Sequence, residues 1–146
     1  MEVTAKHLGA VQFEIQARSH TVISDQPEAN GGFDEGMTPP ELLLASLASC
    51  VAYYAAEYLS RRKLCTEGTT VRVTAEKAKN PARVDQFRIE VQTPVALSEE
   101  DHQGVLAAAH RCLIHNTLLN PPSIELAVNQ PSAVGTSTGR ISEPRP

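Results

Sequence analysis

The feature that most constrains this chain is an uncharged stretch of 15 residues, 42–56. Its apolar residues continue to Leu59 and occupy nearly every side of a helix, so that helix needs cover on most sides. A membrane-spanning helix requires about 20 apolar residues, which favours a central, buried helix of a globular domain. Thr38 is a suitable N-cap, and Pro39 suits the first helical position. Glu41 falls in the positive first turn, where we interpret it as a helix-stabilising charge.

Composition and charge are those of an ordinary globular domain. The chain has 146 residues, with 13 Lys and Arg against 17 Asp and Glu, and a net charge of −4. Its basic residues are scattered, which disfavours nucleic-acid binding. The first ten residues do not resemble a secretory signal, and no membrane association is predicted. We therefore expect one cytoplasmic domain over residues 1–130 and a disordered tail over residues 131–146, which are rich in Pro, Gly, Ser and Thr.

Alternating apolar residues predict strands on both sides of the central helix. Residues 11–17 alternate, residues 21–24 suit a hairpin partner, and residues 2–6 are a weaker candidate. The later elements are strands at 71–75 and 87–91, joined near Asn80-Pro81, and a final strand at 124–128. Between them a helix opens at Ser98, with Asp101 in its first turn, and is predicted to end at Asn120-Pro121-Pro122. The order β-β(-β)-α-β-β-α-β predicts an α+β fold with a mainly antiparallel sheet.

A polar loop of 14 residues, 25–38, separates the first strands from the central helix. Asn30-Gly31-Gly32 and Gly36 within it favour turns and left-handed backbone. Loops of this length are often functional or mobile. A plain surface crossover explains the loop equally well.

Three cysteines are too few for the disulfide framework of a secreted protein. Cys50 lies in the middle of the central helix, with no Lys or Arg within ten residues on either side. Apolar surroundings raise the pKa of a thiol, so a reactive Cys50 needs a positive group from elsewhere in the fold; otherwise it is a packed thiol. Cys112 could face Cys50 if the two helices pack together, and Cys65 is interpreted as a bystander near the surface. The apolar stripe of the second helix consists of Val105, Ala109, Cys112 and Leu113.

Metal and nucleotide sites have little support. His110, Cys112 and His115 are ligand types, but their spacing does not place them on one helix face. The sequence contains no CxxC or HExxH motif. It also lacks GxSxG, GxGxxG and a P-loop, so hydrolase, dinucleotide-binding and nucleotide-binding functions have no motif behind them.

Two motifs together resemble the OsmC/Ohr family of osmotically inducible and organic-hydroperoxide-resistance proteins. The first is GMTPPELLLASLASC at residues 36–50, a Gly-x-Thr-Pro loop that enters a buried helix with a cysteine at its centre. The second is AHRC at residues 109–112, which supplies another cysteine and precedes a short C-terminal strand. Upstream, residues 24–27 and Gly31-Gly32 are similar to the OsmC-like branch. The resemblance covers roughly residues 8–130.

This resemblance implies a fold and a function. The fold is an intertwined homodimer with two sites at the subunit interface, where the long helices pack back to back. The function is a thiol-dependent peroxidase acting on organic hydroperoxides or hydrogen peroxide, in which Cys50 becomes a sulfenic acid and Cys112 resolves it as a disulfide. No bound cofactor or metal is implied, and an external dithiol restores both thiols. Family members activate the first cysteine with an N-terminal arginine, for which Arg18 is the best candidate here.

One position departs from the family pattern. Peroxidases of the family carry a Glu ten residues before the first cysteine, where this chain has Pro40. Glu41 points about 180° away from Cys50 around the helix and is not assigned a catalytic role. The departure favours a second hypothesis, a non-catalytic OsmC-fold dimer that binds a small apolar or thiol-reactive ligand at the subunit interface. A purely structural role for both cysteines is the third.

Overall fold

The first half of the fold runs from three short strands into one long helix. The computed structural model of the protein describes residues 1–130, and the predicted disordered tail at 131–146 lies outside the described residues. The elements of this half are β1 (Thr4–Gly9), β2 (Gln12–Ala17), β3 (His20–Ser24), a short 3-10 turn (Glu28–Asn30) and α1 (Pro39–Arg61).

The second half is a long hairpin followed by two helices. Its elements are β4 (Thr70–Lys79), β5 (Ala82–Gln92), α2 (Glu99–Ala109) and α3 (Leu113–Leu119). β1, β2 and β3 form a meander in which Ile15 pairs with Ala5 on one side and Val22 on the other. β4 and β5 form a separate two-stranded sheet, with Val73 opposite Ile89. The ladders of both sheets are antiparallel, which confirms the predicted α+β fold class.

The start of α1 is as predicted. Thr38 is the N-cap; its Oγ1 accepts the backbone N–H of Glu41, and the Glu41 carboxylate accepts the backbone N–H of Thr38 at 2.7 Å. This reciprocal capping box pairs two backbone donors that the helix itself cannot satisfy. The backbone and hydroxyl hydrogen bonds from Thr38 lower the pKa of Glu41. Glu41 therefore acts as a capping charge at the start of α1.

One ridge of α1 forms the centre of the core. Its four residues recur every fourth position and are at most 1% exposed. They are Leu47, Val51, Ala55 and Leu59. The first two pack with Cys112 against apolar side chains of β4 and β5, and the other two pack with Val105 of α2. The hydrophobic core is thus built between α1, the second sheet and α2.

The expectation that α1 is covered on most sides is wrong for the described protomer. Opposite the ridge, Tyr53 is 64% exposed. The physical reason is that the second sheet, α2 and α3 lie on one side of α1, while the first sheet contributes no residue to either core cluster. By length and composition α1 could also cross a membrane. Its packed ridge against α2 and β4 favours a core helix instead.

A polar network joins α1 to α2. The buried carboxylate of Asp101 accepts hydrogen bonds from Ser98 Oγ at 2.8 Å, Arg62 Nε at 2.7 Å and the Tyr58 hydroxyl at 3.2 Å. The Ser98 bond and then the Arg62 bond lower the pKa of Asp101, and they outweigh the opposing effect of burial. Gly104 leaves room for the Tyr58 ring, because a Cβ there would collide with it. This network fixes how the two helices cross.

The second helix ends earlier than predicted, at Ala109. The backbone N–H groups of Arg111 and Cys112 turn to carbonyls three residues back, which tightens and ends the helix. Cys112 then adopts φ −56° and ψ 125° and caps α3. The prediction that Cys112 and Leu113 continue one helical stripe is therefore wrong. Cys112 is fully buried, whereas Leu113 is 59% exposed.

The predicted final strand at residues 124–128 does not form. Residues 121–130 have no regular secondary structure, and no described strand pairs with them. The apolar side chains that alternate there are nearly fully exposed, at 87% for Ile124, 88% for Leu126 and 81% for Val128. Alternation identifies a segment able to form a strand, but a strand also needs a partner edge and a surface to cover its apolar face.

Candidate active site

The fold brings together two cysteines that lie 62 residues apart in the sequence. Cys50 is half-buried on α1 and packs against the core cluster that contains Cys112. Cys112 is fully buried at the start of α3. The two thiols are close enough for Cys50 to raise the pKa of Cys112. Both are free thiols, as is the exposed Cys65, whose Sγ lies 3.7 Å from the carbonyl oxygen of Glu67.

The two neighbouring thiols differ in exposure, since Cys50 is half-buried and Cys112 is fully buried. Burial raises the pKa of Cys112, and the neighbouring Cys50 raises it further. The backbone N–H of His115, which donates to Cys112 Sγ at 3.4 Å, opposes this shift only in part. Cys112 therefore retains its proton, and Cys50 is the thiol that small molecules can reach. Such an arrangement can assign different roles to the two thiols, with an accessible one that reacts first and a buried one that is protected from the solvent.

Arg18 lies in the exposed turn between β2 and β3, at φ 55°. Its backbone carbonyl accepts a hydrogen bond from the side chain of Gln16 at 3.5 Å. Within residues 1–130, no hydrogen bond or ion pair connects its guanidinium to Cys50 or Cys112. One protomer by itself therefore brings the two sulfurs together without the predicted arginine.

The loop before α1 is organised around Asp25, which is 1% exposed. Three backbone N–H groups donate to its carboxylate, those of Gln26, Phe33 and Glu35, at 2.8–3.2 Å. Burial alone would raise the pKa of Asp25, but these donors outweigh burial and leave the pKa below its usual value. Gly32 is needed because a Cβ there would collide with the carbonyl of Gln26. The loop that leads to Cys50 is therefore ordered, and no sequence motif pointed to this role of Asp25.

The break between α2 and α3 places His110 beside His115, a proximity that their spacing in the sequence did not predict. Their ring centroids are 5.4 Å apart, with an interplanar angle of 56°. His115 Nδ1 is buried and has no hydrogen-bond partner among the described residues. On the one continuous helix that the sequence predicts, these two residues would not share a face. In the part of the chain that is described, no group of three or more His, Cys, Asp or Glu side chains is arranged to hold a metal ion.

A cavity of about 710 Å³ opens between β5, α2 and α3. Its lining combines apolar side chains from these elements with three histidines, His102, His110 and His115. Val51 and Ala109, which belong to the packing around Cys112, also line it. The cavity therefore lies next to the second cysteine and has the size and character of a site for a small, partly apolar molecule.

These features define a class of protein: an α+β chain that pairs a cysteine of its long helix with a second cysteine after the following helix. Residues 32–127 match the family of OsmC-like proteins. The chain belongs to this family, as its motifs predicted. No curated protein matches the sequence.

Solved structures of related proteins share the fold. An osmotic stress induced and detoxification response protein from Psychrobacter arcticus is 24% identical, with a TM-score of 0.72 over 79% of this chain and 85% of that one. An organic hydroperoxide resistance protein OsmC from Legionella pneumophila is 18% identical, with a TM-score of 0.55 over 80% and 87%. An organic hydroperoxide resistance protein from Elizabethkingia anophelis is 22% identical, with a TM-score of 0.53 over 79% and 84%. At these identities the similarity establishes the fold.

Proposed function

We propose that this protein is a thiol-dependent peroxidase that reduces organic hydroperoxides, or hydrogen peroxide, through Cys50. The observation that carries the proposal is the contact between a half-buried cysteine and a fully buried one from a distant segment. Membership of the OsmC-like family supports it, as do the two similar structures of organic hydroperoxide resistance proteins.

The first step uses Cys50 as the nucleophile. Its thiolate attacks one oxygen of the hydroperoxide, the O–O bond breaks, and the released alkoxide takes up a proton and leaves as an alcohol. The sulfur is oxidised to a sulfenic acid, and the peroxide is reduced. Cys50 suits this role because it is the more exposed thiol of the pair.

The second step closes a disulfide. The sulfur of Cys112 attacks the Cys50 sulfenic sulfur, an S–S bond forms, and the hydroxyl leaves as water. An external dithiol then restores both thiols by exchange, so the cycle requires no bound cofactor. The burial of Cys112 protects it from direct attack by the peroxide until Cys50 has reacted.

Thiol counting after stoichiometric addition of cumene hydroperoxide tests this function. We expect the wild-type protein to lose two thiols and form a Cys50–Cys112 disulfide, and Cys50→Ser to consume no peroxide. Cys112→Ser should form the sulfenic acid without the disulfide. Cys65→Ser, which changes an exposed cysteine outside the pair, is the matched control and should behave as wild type. Unchanged peroxide consumption by Cys50→Ser would overturn the proposal.

We also propose that the active form is an intertwined homodimer that supplies Arg18 to the thiols. Two observations support a second copy of the chain that packs over apolar surface exposed in the protomer. They are the open face of α1 around Tyr53 and the exposed apolar residues at 124–128. The first sheet, which carries Arg18, packs into neither core cluster of its own protomer and is available for exchange. Light scattering should therefore give the mass of a dimer, and the mass of a monomer at micromolar concentration would contradict this assembly.

Arg18→Ala tests the activating role directly. A nearby guanidinium favours a thiolate, so its removal should slow the reaction of Cys50 with hydroperoxide by about tenfold or more. Arg83→Ala is the matched control, because Arg83 lies near the turn of the other hairpin, between β4 and β5. Equal rates for the two variants would remove Arg18 from the mechanism and leave the roles of the cysteines intact.

A second candidate function is ligand binding without turnover, and the cavity of about 710 Å³ beside Cys112 favours it. A non-catalytic dimer would hold a small apolar or thiol-reactive molecule there. Val91→Trp places a large ring at the wall of this cavity. If the wild-type protein consumes no hydroperoxide but binds a fluorescent apolar probe, and Val91→Trp does not bind the probe, ligand binding replaces the peroxidase as the function.

A further inference from the structure

A second cavity, of about 360 Å³, lies between α1 and α2. Three arginines of the described residues line it: Arg61 and Arg62 at the end of α1, and Arg111 in the turn that follows α2. In the part of the chain that the structure describes, no Asp or Glu lines this cavity, which we call the arginine pocket. It shares no lining residue with the larger cavity beside Cys112, so it is a separate site.

Arg62 is the fixed member of the arginine pocket. Its Nε donates to the buried carboxylate of Asp101 at 2.7 Å, and its Nη2 lies 3.3 Å from the exposed carboxylate of Glu100. A guanidinium carries five N–H groups in a rigid plane, so these two contacts leave donors available for another partner. Arg62 therefore lines the pocket with its orientation already set.

The other two arginines retain more of their positive charge. Arg61 pairs with Glu57 at 3.6 Å, but both side chains are largely exposed, and water and salt weaken such a pair. Arg111 has no ion pair within residues 1–130. Two different elements of the chain thus bring incompletely balanced cations to one concave surface, which attracts anions.

Small side chains leave the space between these arginines open. Gly104, Ala107 and Ala108 line the pocket from α2, and Ala107 is exposed to solvent. Sites for small molecules have volumes of about 300–1,000 Å³, and the arginine pocket falls near the lower end of this range. The pocket is therefore large enough for an anionic group together with a small part of the molecule that carries it.

We propose that the arginine pocket binds the phosphate or diphosphate group of a small molecule. A phosphate monoester presents three acceptor oxygens and a charge of about −1.5 to −2 at neutral pH. It can therefore engage several guanidiniums at once, often through paired hydrogen bonds, whereas a carboxylate offers two oxygens and a single charge.

This inference goes beyond the proposed peroxidase function and does not depend on it, because neither Cys50 nor Cys112 lines the arginine pocket. The pocket is also separate from the surfaces that we propose to contact a second copy of the chain. Neither Tyr53 nor any residue of the segment 124–128 lines it. The dimer and the anion site can therefore be tested independently.

Isothermal titration calorimetry of the full-length protein with inorganic pyrophosphate, in a phosphate-free buffer of low ionic strength, tests this proposal. We expect wild-type protein to bind pyrophosphate with a Kd below about 1 mM, and acetate much more weakly. Arg111→Ala removes charge-assisted hydrogen bonds to the anion and should weaken pyrophosphate binding by about tenfold or more. Amide resonances of residues 104–111 should shift in the NMR spectrum when pyrophosphate is added.

Arg83→Ala is the matched control, because it removes the same charge from a residue of β5 that does not line the pocket. It should bind pyrophosphate within about twofold of wild type, since salt screens distant charges. Ala107→Glu is a second variant that leaves all three arginines in place. It puts a carboxylate into the pocket from an exposed helical position, and it should abolish binding even if Arg111→Ala does not fold.

Any of three outcomes would overturn the inference. The first is no heat of binding with pyrophosphate at up to about 10 mM, which would leave the arginines as solvated surface charges. The second is equal weakening by Arg83→Ala and Arg111→Ala, which would indicate attraction by overall charge. The third is acetate binding as tight as that of pyrophosphate, which would remove the assignment to phosphate. None of these results alters the thiol counts that decide the peroxidase function.

Discussion

The two sheets of this protein make an instructive contrast. The second sheet, β4 and β5, packs against α1 and helps to enclose Cys112. The first sheet, β1 to β3, has the same antiparallel pairing and a similar alternation of side chains, but within residues 1–130 its only buried residue is Ser24, at its end. It is joined to α1 through the loop that Asp25 organises. Strand pairing alone therefore does not make a sheet part of the core.

The largest expected effect comes from breaking the packing of the second sheet. Leu47→Ala removes a fully buried side chain next to Val51 and Cys112, and should lower the free energy of unfolding by about 2–5 kcal/mol. Leu8→Ala, at a position of β1 that is 46% exposed, is the matched change in the first sheet. Urea denaturation measures both. Similar losses in the two variants would mean that the first sheet is as firmly packed as the second.

The next largest effect is expected in the loop that connects the first sheet to α1. Gly32→Ala forces a Cβ against the carbonyl of Gln26, so the loop around Asp25 must shift. Gly31→Ala has open space but a left-handed φ of 84°, and should cost only about 1 kcal/mol. We expect the larger loss for Gly32→Ala, together with faster amide exchange at Phe33, whose N–H donates to Asp25. The reverse order of stability would show that backbone conformation matters more than close packing in this loop.

A smaller, pH-dependent effect should arise where α1 meets α2. The pKa of Asp101 is lowered in the folded protein, so its contribution to stability is fully present above its unfolded pKa of about 4 and is lost as the pH falls through the folded value. Asp101→Asn should therefore lower the thermal midpoint at pH 7 by several degrees. The difference from wild type should shrink towards pH 3. A difference that stays constant with pH would assign the effect to packing rather than to charge.

The smallest effect is expected on the exposed side of the same helix end. Arg61 pairs with Glu57 at 3.6 Å, but both side chains are largely exposed. Arg61→Ala should change the free energy of unfolding by about 0.5 kcal/mol or less. It is the natural control for Arg62→Ala, since Arg62 is bonded to the buried Asp101 and its removal should cost more. Thermal denaturation of the two variants at pH 7 makes the comparison.

The sequence predicted the local features well because they depend on neighbouring residues. The N-cap at Thr38, the helix opening at Ser98 and the strands of both hairpins follow from capping chemistry and alternation. The predictions failed where the outcome depends on distant partners. The segment at 124–128 alternates but has no strand beside it, and the second helix ends at Ala109 although its apolar spacing continues.

For the candidate site, the sequence by itself determined the reactive residue types, their placement on or near helices and the membership of a family with a cysteine in its central helix. The tertiary structure decided which sulfur is buried, that the two thiols meet, and that His110 and His115 become neighbours once the helix breaks between them. The physical reason is that exposure and proton affinity are set by what packs around a group. Cys50 and Cys112 have the same side chain, and only their surroundings make one accessible and the other protected.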